Sequence, residues 1–309
     1  MINKDILKNI QLVVFDLDGT LLNSSGEIGE STKHLVKELR SLGVRFSFAS
    51  GRLHSAIIKY AQELELQTPL ISLDGSLIKS VTNNQIISES YIKEKYVKRA
   101  IKLADHFLVK IALCLDEAIY YTEHNSLIPN LLDKFGADYK EVEEYSSYHK
   151  SKTLEIVFAG DYKNSLKTIE SKMMFPYTWG LYTNFFKSYS QKGIYYLEIR
   201  KHGVNKGTGL KRLLKHLNLG MRNTVVMGDW YNDRELFKTN AVKIAVANAV
   251  PEIKNNADYI FMTAAVSDYK INKYSEFKIK KNKNNISITL KKNRDILKSL
   301  NGRTKAQII

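Results

Sequence analysis

The chain has 309 residues, of which 44% are hydrophobic and 26% charged, and its single cysteine, Cys114, allows neither an internal disulfide nor a multi-cysteine metal site. No run reaches the about 18 to 20 apolar residues of a membrane helix, and the N-terminus lacks the apolar region of a signal peptide, so we expect a globular cytoplasmic protein. The net charge of +15 is concentrated after residue 260, where 12 basic residues face 3 acidic ones, and this argues against a general nucleic-acid-binding surface.

The first 80 residues alternate between short apolar runs and helical patterns. Strands are predicted at 12–15, 44–49 and 69–73. Between them lie a helix that Ser31 or Thr32 can cap and Gly43 can end, and a second helix at 53–64. This alternation predicts a parallel sheet covered by helices.

A less regular pattern follows from residue 81 to 194. It predicts strands at 109–115, 118–122, 154–159 and 177–183, and helices at 94–107, 126–135 and 163–173. The earlier alternation then returns with a strand at 195–199, a helix at 206–217, and strands at 224–227 and 242–246. We therefore predict an α/β fold with a doubly wound, Rossmann-like parallel-sheet core (1–80 and 195–262), an inserted α+β cap domain (81–194) and a short C-terminal extension (263–309).

Two acidic clusters follow apolar strands. Asp16 and Asp18 leave the first strand, with Gly19 permitting a sharp turn, and Asp229 leaves the strand at 224–227. Ligands of open α/β sheets bind outside the carboxyl ends of the strands, so these carboxylates can converge to hold a divalent cation or to divide nucleophilic and acid/base work. Taken singly, the first cluster also fits an Asp-Gly turn, and the second fits a helix N-cap at Asp229 or Asn232.

Two further positions can meet a phosphate. Ser50 and Gly51, at a strand-to-helix turn, offer a hydroxyl and backbone N–H groups, although a serine there can also simply cap the helix. Lys206 begins a predicted helix, and alone it is typical of a solvated surface residue. The seven histidines, His54 among them, show no metal-ligand spacing and are interpreted as structural.

The four elements together resemble the motifs of the haloacid dehalogenase superfamily. They occur in the order Asp16-Leu-Asp-Gly-Thr-Leu-Leu22, Ala49-Ser-Gly-Arg52, Lys206 and Gly228-Asp-x-x-Asn-Asp233. With the long insert between the second and third motifs, the chain is similar to the Cof-type phosphatases, which carry a large α/β cap. The resemblance covers about residues 10–262.

That resemblance implies a Mg²⁺-dependent phosphatase acting on a small phosphorylated metabolite, such as a sugar phosphate, a nucleotide or a cofactor phosphate. Asp16 would be the nucleophile that forms an aspartyl-phosphate, and Asp18 would protonate the leaving oxygen and then activate water. The other implied roles are phosphate binding by Ser50, Gly51, Lys206 and Asn232, Mg²⁺ binding by Asp16, Asp18 and Asp229, and support by Arg52 and Asp233. No nucleic-acid or membrane partner is expected.

Two positions depart from the family pattern. Ser50 stands where threonine is common, which keeps the hydroxyl. The loop after the third strand reads Asp74-Gly75 where the subfamily usually has Asn-Gly, and a carboxylate there would face an anionic substrate. A binding or regulatory protein with weak catalysis is the alternative function, and the four intact motifs argue against it.

The C-terminal segment has a different resemblance. Its runs Thr263 to Tyr269, Lys278 to Lys281, Ile286 to Leu290 and Asn293 to Leu297 follow an order similar to the C-terminal domain of phosphopantothenoylcysteine synthetase, an enzyme of coenzyme A biosynthesis. The positions that would contact a nucleotide in that family are Asp268, Lys278 and Asn293. The glycine-rich half of that enzyme is missing, so we expect a fusion or truncation remnant without ligase activity; a solvated basic extension is the simpler alternative.

Overall fold

The computed structural model of the chain describes residues 8–122, 137–145, 152–175, 180–188, 192–261, 269–271, 289–292 and 307–308. Its helices are α1 (Glu30–Ser41), α2 (His54–Glu63), α3 (Glu94–Phe107), α4 (Lys163–Met174), α5 (Lys206–Leu217), α6 (Arg234–Phe237) and α7 (Pro251–Asn256). Its strands are β1 (Leu12–Phe15), β2 (Arg45–Phe48), β3 (Leu70–Ser72), β4 (Leu77–Lys79), β5 (Ile86–Glu89), β6 (Lys110–Cys114), β7 (Ile119–Tyr121), β8 (Tyr139–Glu141), β9 (Glu155–Gly160), β10 (Leu181–Lys187), β11 (Tyr195–Lys201), β12 (Thr224–Gly228), β13 (Val242–Val246), β14 (Tyr259–Phe261), β15 (Tyr269–Ile271), β16 (Leu290–Lys292) and β17 (Gln307–Ile308). Within these residues, no helix is long and apolar enough to cross a membrane.

A parallel sheet forms the core, in the order β17-β14-β13-β12-β1-β2. Alternate side chains of β1 point to opposite faces of the sheet. Leu12 and Val14 pack with side chains from α5, α6 and α7, whereas Val13 and Phe15 pack with α1 and α2. This doubly wound α/β core confirms the predicted fold class, and it places the carboxyl ends of β1, β2 and β12 at one edge of the sheet.

The predicted third strand is not a full member of that sheet. β3 pairs antiparallel with β4, which in turn pairs antiparallel with β5. Its link to the core sheet is a parallel bridge between Ala49 and Ile71. Directly after β3 the chain reverses through Leu73, Asp74 and Gly75, all with positive φ, so the strand ends before a longer parallel ladder can form.

The insert forms a second sheet, in the order β10-β11-β9-β6-β7-β8, whose described strands pair antiparallel except for β7 with β8. One face packs on α3 and α4 through residues such as Phe158 and Leu197. On the other face, Cys114 and Val157 pack with Leu53 and Leu73 of the core. The inserted cap sheet therefore has one face toward the carboxyl-end loops of the core.

The strand predicted at 195–199 is assigned to the parallel core, and this is wrong. β11 lies inside the cap sheet, antiparallel to both β9 and β10. Its buried Leu197 and Ile199 alternate with Glu198 and Arg200, a pattern that suits an antiparallel sheet with one polar face rather than a core strand buried on both faces. The domain limits, which were drawn partly from this strand, stay a prediction.

The C-terminal extension contributes short strands. β15 pairs antiparallel with β16, and β17 pairs in parallel with β14 at the edge of the core sheet. The helix predicted at 126–135 and the possible nucleotide contacts Asp268, Lys278 and Asn293 lie outside the described residues.

Candidate active site

Lys206 is buried, and it joins two carboxylates. Its Nζ donates hydrogen bonds to Asp16 Oδ1 at 2.6 Å and to Asp233 Oδ1 at 2.7 Å, and its side chain has no exposed surface. Burial disfavours the charge, but the two carboxylates outweigh burial and raise the pKa of Lys206 above its ordinary value. The interpretation of Lys206 as a solvated surface lysine is therefore wrong.

Asp16 and Asp229 follow the neighbouring strands β1 and β12 and meet at the edge of the sheet. With Asp233 they form a group whose carboxylate oxygens lie within 4.8 Å of one another. Thr20 Oγ1 donates to Asp229 Oδ1 at 2.9 Å. Burial raises the pKa of Asp16 well above its usual range, against the opposing effect of Lys206, and burial also raises the pKa of Asp229 to about 6. Three carboxylates therefore face one lysine.

The three carboxylates fit a divalent cation. Carboxylate oxygens are the hard ligands that Mg²⁺ takes, and a cation among them would offset their excess negative charge. Asp233 Oδ2 also accepts from the backbone N–H groups of Asp229 and Trp230, at 3.0 and 3.1 Å, so its position is fixed. The family resemblance implies Asp16, Asp18 and Asp229 as ligands, and the structure adds Asp233 to the candidate group.

Gly19 allows the two acidic loops to approach each other. Its φ of +81° lies in the left-handed region, and a Cβ there would collide with Asp229 Oδ2. Its carbonyl oxygen accepts from Asn248 Nδ2 at 2.7 Å. Glycine at position 19 is thus needed both for the turn and for the close packing of the turn against Asp229.

The Asp18 side chain does not belong to this group of three carboxylates and is half exposed. Arg52 Nε donates to its Oδ2 at 2.8 Å, and a second guanidinium nitrogen contacts Oδ1. Arg52 lies on the loop after β2, so the guanidinium joins the first and second motifs.

Ser50 and Asn232 lie beside the same loops. The Ser50 hydroxyl is buried and accepts from the Arg52 backbone N–H at 3.1 Å, whereas the N-cap of α2 is Leu53, so Ser50 does not cap that helix. Asn232 is exposed, and its Nδ2 donates to Asp74 Oδ1 at 3.2 Å. Gly51, the residue after Ser50, also lies next to Asp74, because a Cβ on Gly51 would be 3.3 Å from Asp74 Oδ1.

Asp74 is paired with a cation that the sequence analysis missed. Its Oδ2 accepts from Arg200 of β11, and both residues are buried. Burial opposes the ionised form, but Arg200 outweighs it and holds the pKa of Asp74 below its usual value. The charge of the Asp74 carboxylate, which was expected to face an anionic substrate, is therefore balanced by Arg200. The alternation of charged and apolar residues along 195–201 is the sequence pattern that could have indicated Arg200.

The comparisons with known proteins agree with this fold. Residues 13–269 match the model of the haloacid dehalogenase-like hydrolases, and the chain belongs to that family. A protein of Streptococcus pyogenes serotype M6, provisionally named a phosphatase, is 29% identical over 82% of this chain and 93% of its own length. Phosphatase YwpJ of Bacillus subtilis is 23% identical over 82% of this chain and 95% of its own. The crystal structure of a haloacid dehalogenase-like hydrolase from Bacteroides thetaiotaomicron superimposes with a TM-score of 0.72 at 25% identity, covering 82% of this chain and 94% of that one.

Proposed function

We propose that the protein is a Mg²⁺-dependent phosphatase that hydrolyses a small phosphorylated metabolite through an aspartyl-phosphate on Asp16. Family membership and the phosphatase names of the relatives support the reaction class. The observation that carries the proposal is the buried contact between Lys206 and Asp16 beside Asp229 and Asp233. A nucleophile held against a fixed cation, next to a group that fits a metal, is what attack on a phosphate dianion requires.

Asp16, Asp229 and Asp233 are the side chains we assign to the metal, together with the Asp18 carbonyl that the family resemblance implies. When bound there, Mg²⁺ supplies positive charge that offsets the repulsion between a carboxylate and the phosphate. Lys206 supplies a second, permanent positive charge at the nucleophile.

The reaction has two steps, and Asp18 recovers in the second step the proton that it gives up in the first. In the first, an Asp16 oxygen bonds to phosphorus while the bond to the leaving oxygen breaks, and Asp18 gives its proton to that oxygen. In the second, the Asp18 carboxylate takes a proton from water, whose oxygen bonds to phosphorus while the bond to Asp16 breaks. Inorganic phosphate leaves, and Asp18 is protonated as it was at the start.

The remaining residues hold the phosphate or the reacting groups. Ser50, Gly51 and Asn232 are assigned to phosphoryl oxygens, together with Lys206. Arg52 would position Asp18 through its guanidinium contacts.

Phosphate release from a panel of sugar phosphates, nucleotides and cofactor phosphates, measured with and without Mg²⁺, tests the proposal. We expect metal-dependent release by the wild type, reduced to below about one thousandth in Asp16→Asn, because an amide is a poor nucleophile. Asp161→Asn, at an exposed position of the cap, is the matched control and should keep full activity. Circular dichroism checks that both variants fold.

Retained turnover in Asp16→Asn would contradict the mechanism. Absence of release from every compound would favour the alternative of a binding or regulatory protein.

The C-terminal extension adds no second function to this proposal. The family model ends at residue 269, and the relatives named above cover 82% of the chain. Nothing in these comparisons supports the resemblance to phosphopantothenoylcysteine synthetase, which stays a prediction from the sequence.

A further inference from the structure

A second group of charges lies on the cap face that meets the catalytic loops. Arg200 and Glu155 are register partners on β11 and β9, and Glu198 lies two residues before Arg200 on the same face. The opposite face of these strands is the apolar one that packs on α3 and α4. Because Arg200 also binds Asp74, this charged face adjoins the loop that carries Asn232. We call Asp74, Glu155, Glu198 and Arg200 the cap cluster.

The cap cluster contains more negative than positive charge. Arg200 pairs with Asp74, and its guanidinium nitrogens lie 3.7 Å from Glu155 Oε2 and 3.8 Å from Glu198 Oε2, beyond hydrogen-bond distance. One guanidinium therefore faces three carboxylates in a buried setting, where an uncompensated charge is costly. Burial raises the pKa of both Glu155 and Glu198, which is the response expected of carboxylates without a sufficient counter-charge.

Two buried atoms of the cap cluster lack hydrogen-bond partners among the described residues. They are Glu155 Oε2 and Arg200 Nε, on residues that are each 4% exposed. Glu198 is different, because its side chain is 24% exposed and accepts from Asn184 Nδ2 at 3.1 Å. The cluster thus combines an unpartnered buried acceptor with a carboxylate that solvent and ligands can reach.

A metal ion does not fit the cap cluster as it fits the core. Among the described residues, the acidic group with ligand atoms close enough to hold a metal is Asp16, Asp229 and Asp233, and no cap residue belongs to it. An organic cation can instead donate several hydrogen bonds to carboxylates that do not converge on one point.

We propose that the cap cluster selects phosphomonoesters whose leaving group carries a positively charged amine, which Glu198 binds with the buried negative charge of Glu155 behind it, while Lys206 faces the phosphate. This inference rests on the proposed function, since it assigns the substrate class of the same site. The ion pair between Asp74 and Arg200 joins the cap cluster to the core loop. In one site, the cap therefore binds the amine and the core binds the phosphoryl group.

Matched substrates test the inference. D-Glucosamine 6-phosphate and D-glucose 6-phosphate differ by an amine in place of a hydroxyl, N-acetylglucosamine 6-phosphate carries a neutral amide there, and 6-phosphogluconate adds a carboxylate. Phosphoethanolamine and 2-hydroxyethyl phosphate form a second amine and hydroxyl pair with a shorter span. In at least one pair we expect kcat/KM for the amine to exceed that for the hydroxyl by about tenfold or more, because a site built for a charged donor rejects analogues that lack it.

Charge-removing variants then assign the preference to the cap cluster. In Glu198→Gln we expect the ratio of kcat/KM for amine over hydroxyl to fall about tenfold, and Glu155→Gln should act in the same direction. Glu143→Gln, at an exposed position of the cap, is the control and should keep the wild-type ratio. If Glu155→Gln fails to fold, as thermal unfolding would show, the partly exposed Glu198 still provides the test.

The outcomes separate this inference from the proposed function. Hydrolysis of p-nitrophenyl phosphate and the neutral sugar phosphates without a preference for either amine would overturn the cap assignment and leave the phosphatase intact. A preference for 6-phosphogluconate would also overturn it, since Arg200 would then be the recognition group. No hydrolysis of any compound would overturn the proposed function and, with it, this inference.

Discussion

Two buried cations, one in the core and one in the cap, each face three carboxylates. In the core, Lys206 lies 2.6 to 2.7 Å from Asp16 and Asp233, with Asp229 beside them. In the cap, Arg200 binds Asp74 and stands further from two glutamates. The core carboxylates converge on one point, as a metal requires, whereas the cap carboxylates surround a guanidinium without converging.

This difference follows from where the side chains originate. The core group comes from loops at the carboxyl ends of β1 and β12, which a parallel sheet brings to one edge. In the cap cluster, Glu155, Glu198 and Arg200 come from one face of the antiparallel strands β9 and β11, where directly opposite side chains such as Glu155 and Arg200 are held about 5 Å apart, and Asp74 joins them from the core loop after β3. Loops can bring several carboxylates to one point, where they can bind a metal ion. A sheet face keeps its carboxylates apart, and the resulting surface suits recognition of a larger group.

Removing the core cation should have the largest effect. Lys206→Met leaves Asp16 and Asp233 buried without their partner, and we expect the free energy of unfolding to fall by about 3 to 5 kcal/mol. Phosphate release should fall by about a hundredfold to a thousandfold, because the charge that faces the phosphate is lost. Urea unfolding without metal and kcat with Mg²⁺ measure the two effects.

Lys211→Met is the matched control, since Lys211 is exposed on the same helix α5. It should leave both quantities close to the wild type. Wild-type stability in Lys206→Met would show that the core carboxylates do not depend on this lysine.

The core group could be predicted from the sequence, and the cap group could not. Asp16 and Asp229 each follow an apolar strand, and the pairing of β1 with β12 brings the two carboxylates to one edge of the sheet. Lys206 begins helix α5 instead, and the family resemblance is what assigns it to the same site. Arg200 and Glu155 are 45 positions apart with no motif around either, and only the pairing of β11 with β9 makes them neighbours. The assignment of 195–199 to the core hid this pairing, because a short apolar run does not reveal which sheet it joins.

A second local error has the same origin. Asp74 was expected to disturb an anionic substrate because its partner comes from a strand more than a hundred residues later. Asp233 was expected to support the metal and Lys206, and it accepts a hydrogen bond from Lys206; the turn after β12 also places its oxygens among those of Asp16 and Asp229.

Breaking the cap pair should have an intermediate effect. Arg200→Met leaves Asp74 buried without its counter-charge, and Asp74→Asn removes the partner that orients Arg200, so we expect each to lower the free energy of unfolding by about 3 kcal/mol. The double variant should lose less than the sum of the two, with a coupling of about 1 to 3 kcal/mol, because the two side chains are in direct contact. Urea unfolding of the four proteins completes the cycle.

Arg200→Lys serves as the control for charge alone, since an ammonium keeps the charge but loses the planar guanidinium. Additive effects of Arg200→Met and Asp74→Asn would contradict the pairing on which the cap cluster depends.

A third buried basic group, His54, shows what happens without carboxylates, and near neutral pH it should give the smallest effect. Burial, assisted by Lys79, lowers the pKa of His54 to about 4 from an ordinary value of 6.5, whereas carboxylates raise the pKa of Lys206 and Arg200. The unfolded chain therefore takes up a proton at His54 before the folded protein does. The stability from this group is present above about pH 6.5, and the free energy of unfolding falls by about 1.4 kcal/mol per pH unit as the pH decreases toward 4.

Urea unfolding of His54→Gln at a series of pH values tests this. Between pH 6.5 and 4, the free energy of unfolding of the variant should depend on pH less steeply than that of the wild type, by about 1.4 kcal/mol per pH unit. His216→Gln, at an exposed position of α5, should keep the wild-type dependence. If the pH dependence of the free energy of unfolding is the same in His54→Gln as in the wild type, His54 is protonated as readily in the folded protein as in the unfolded chain. The buried, charged imidazole would then be stable without a carboxylate partner.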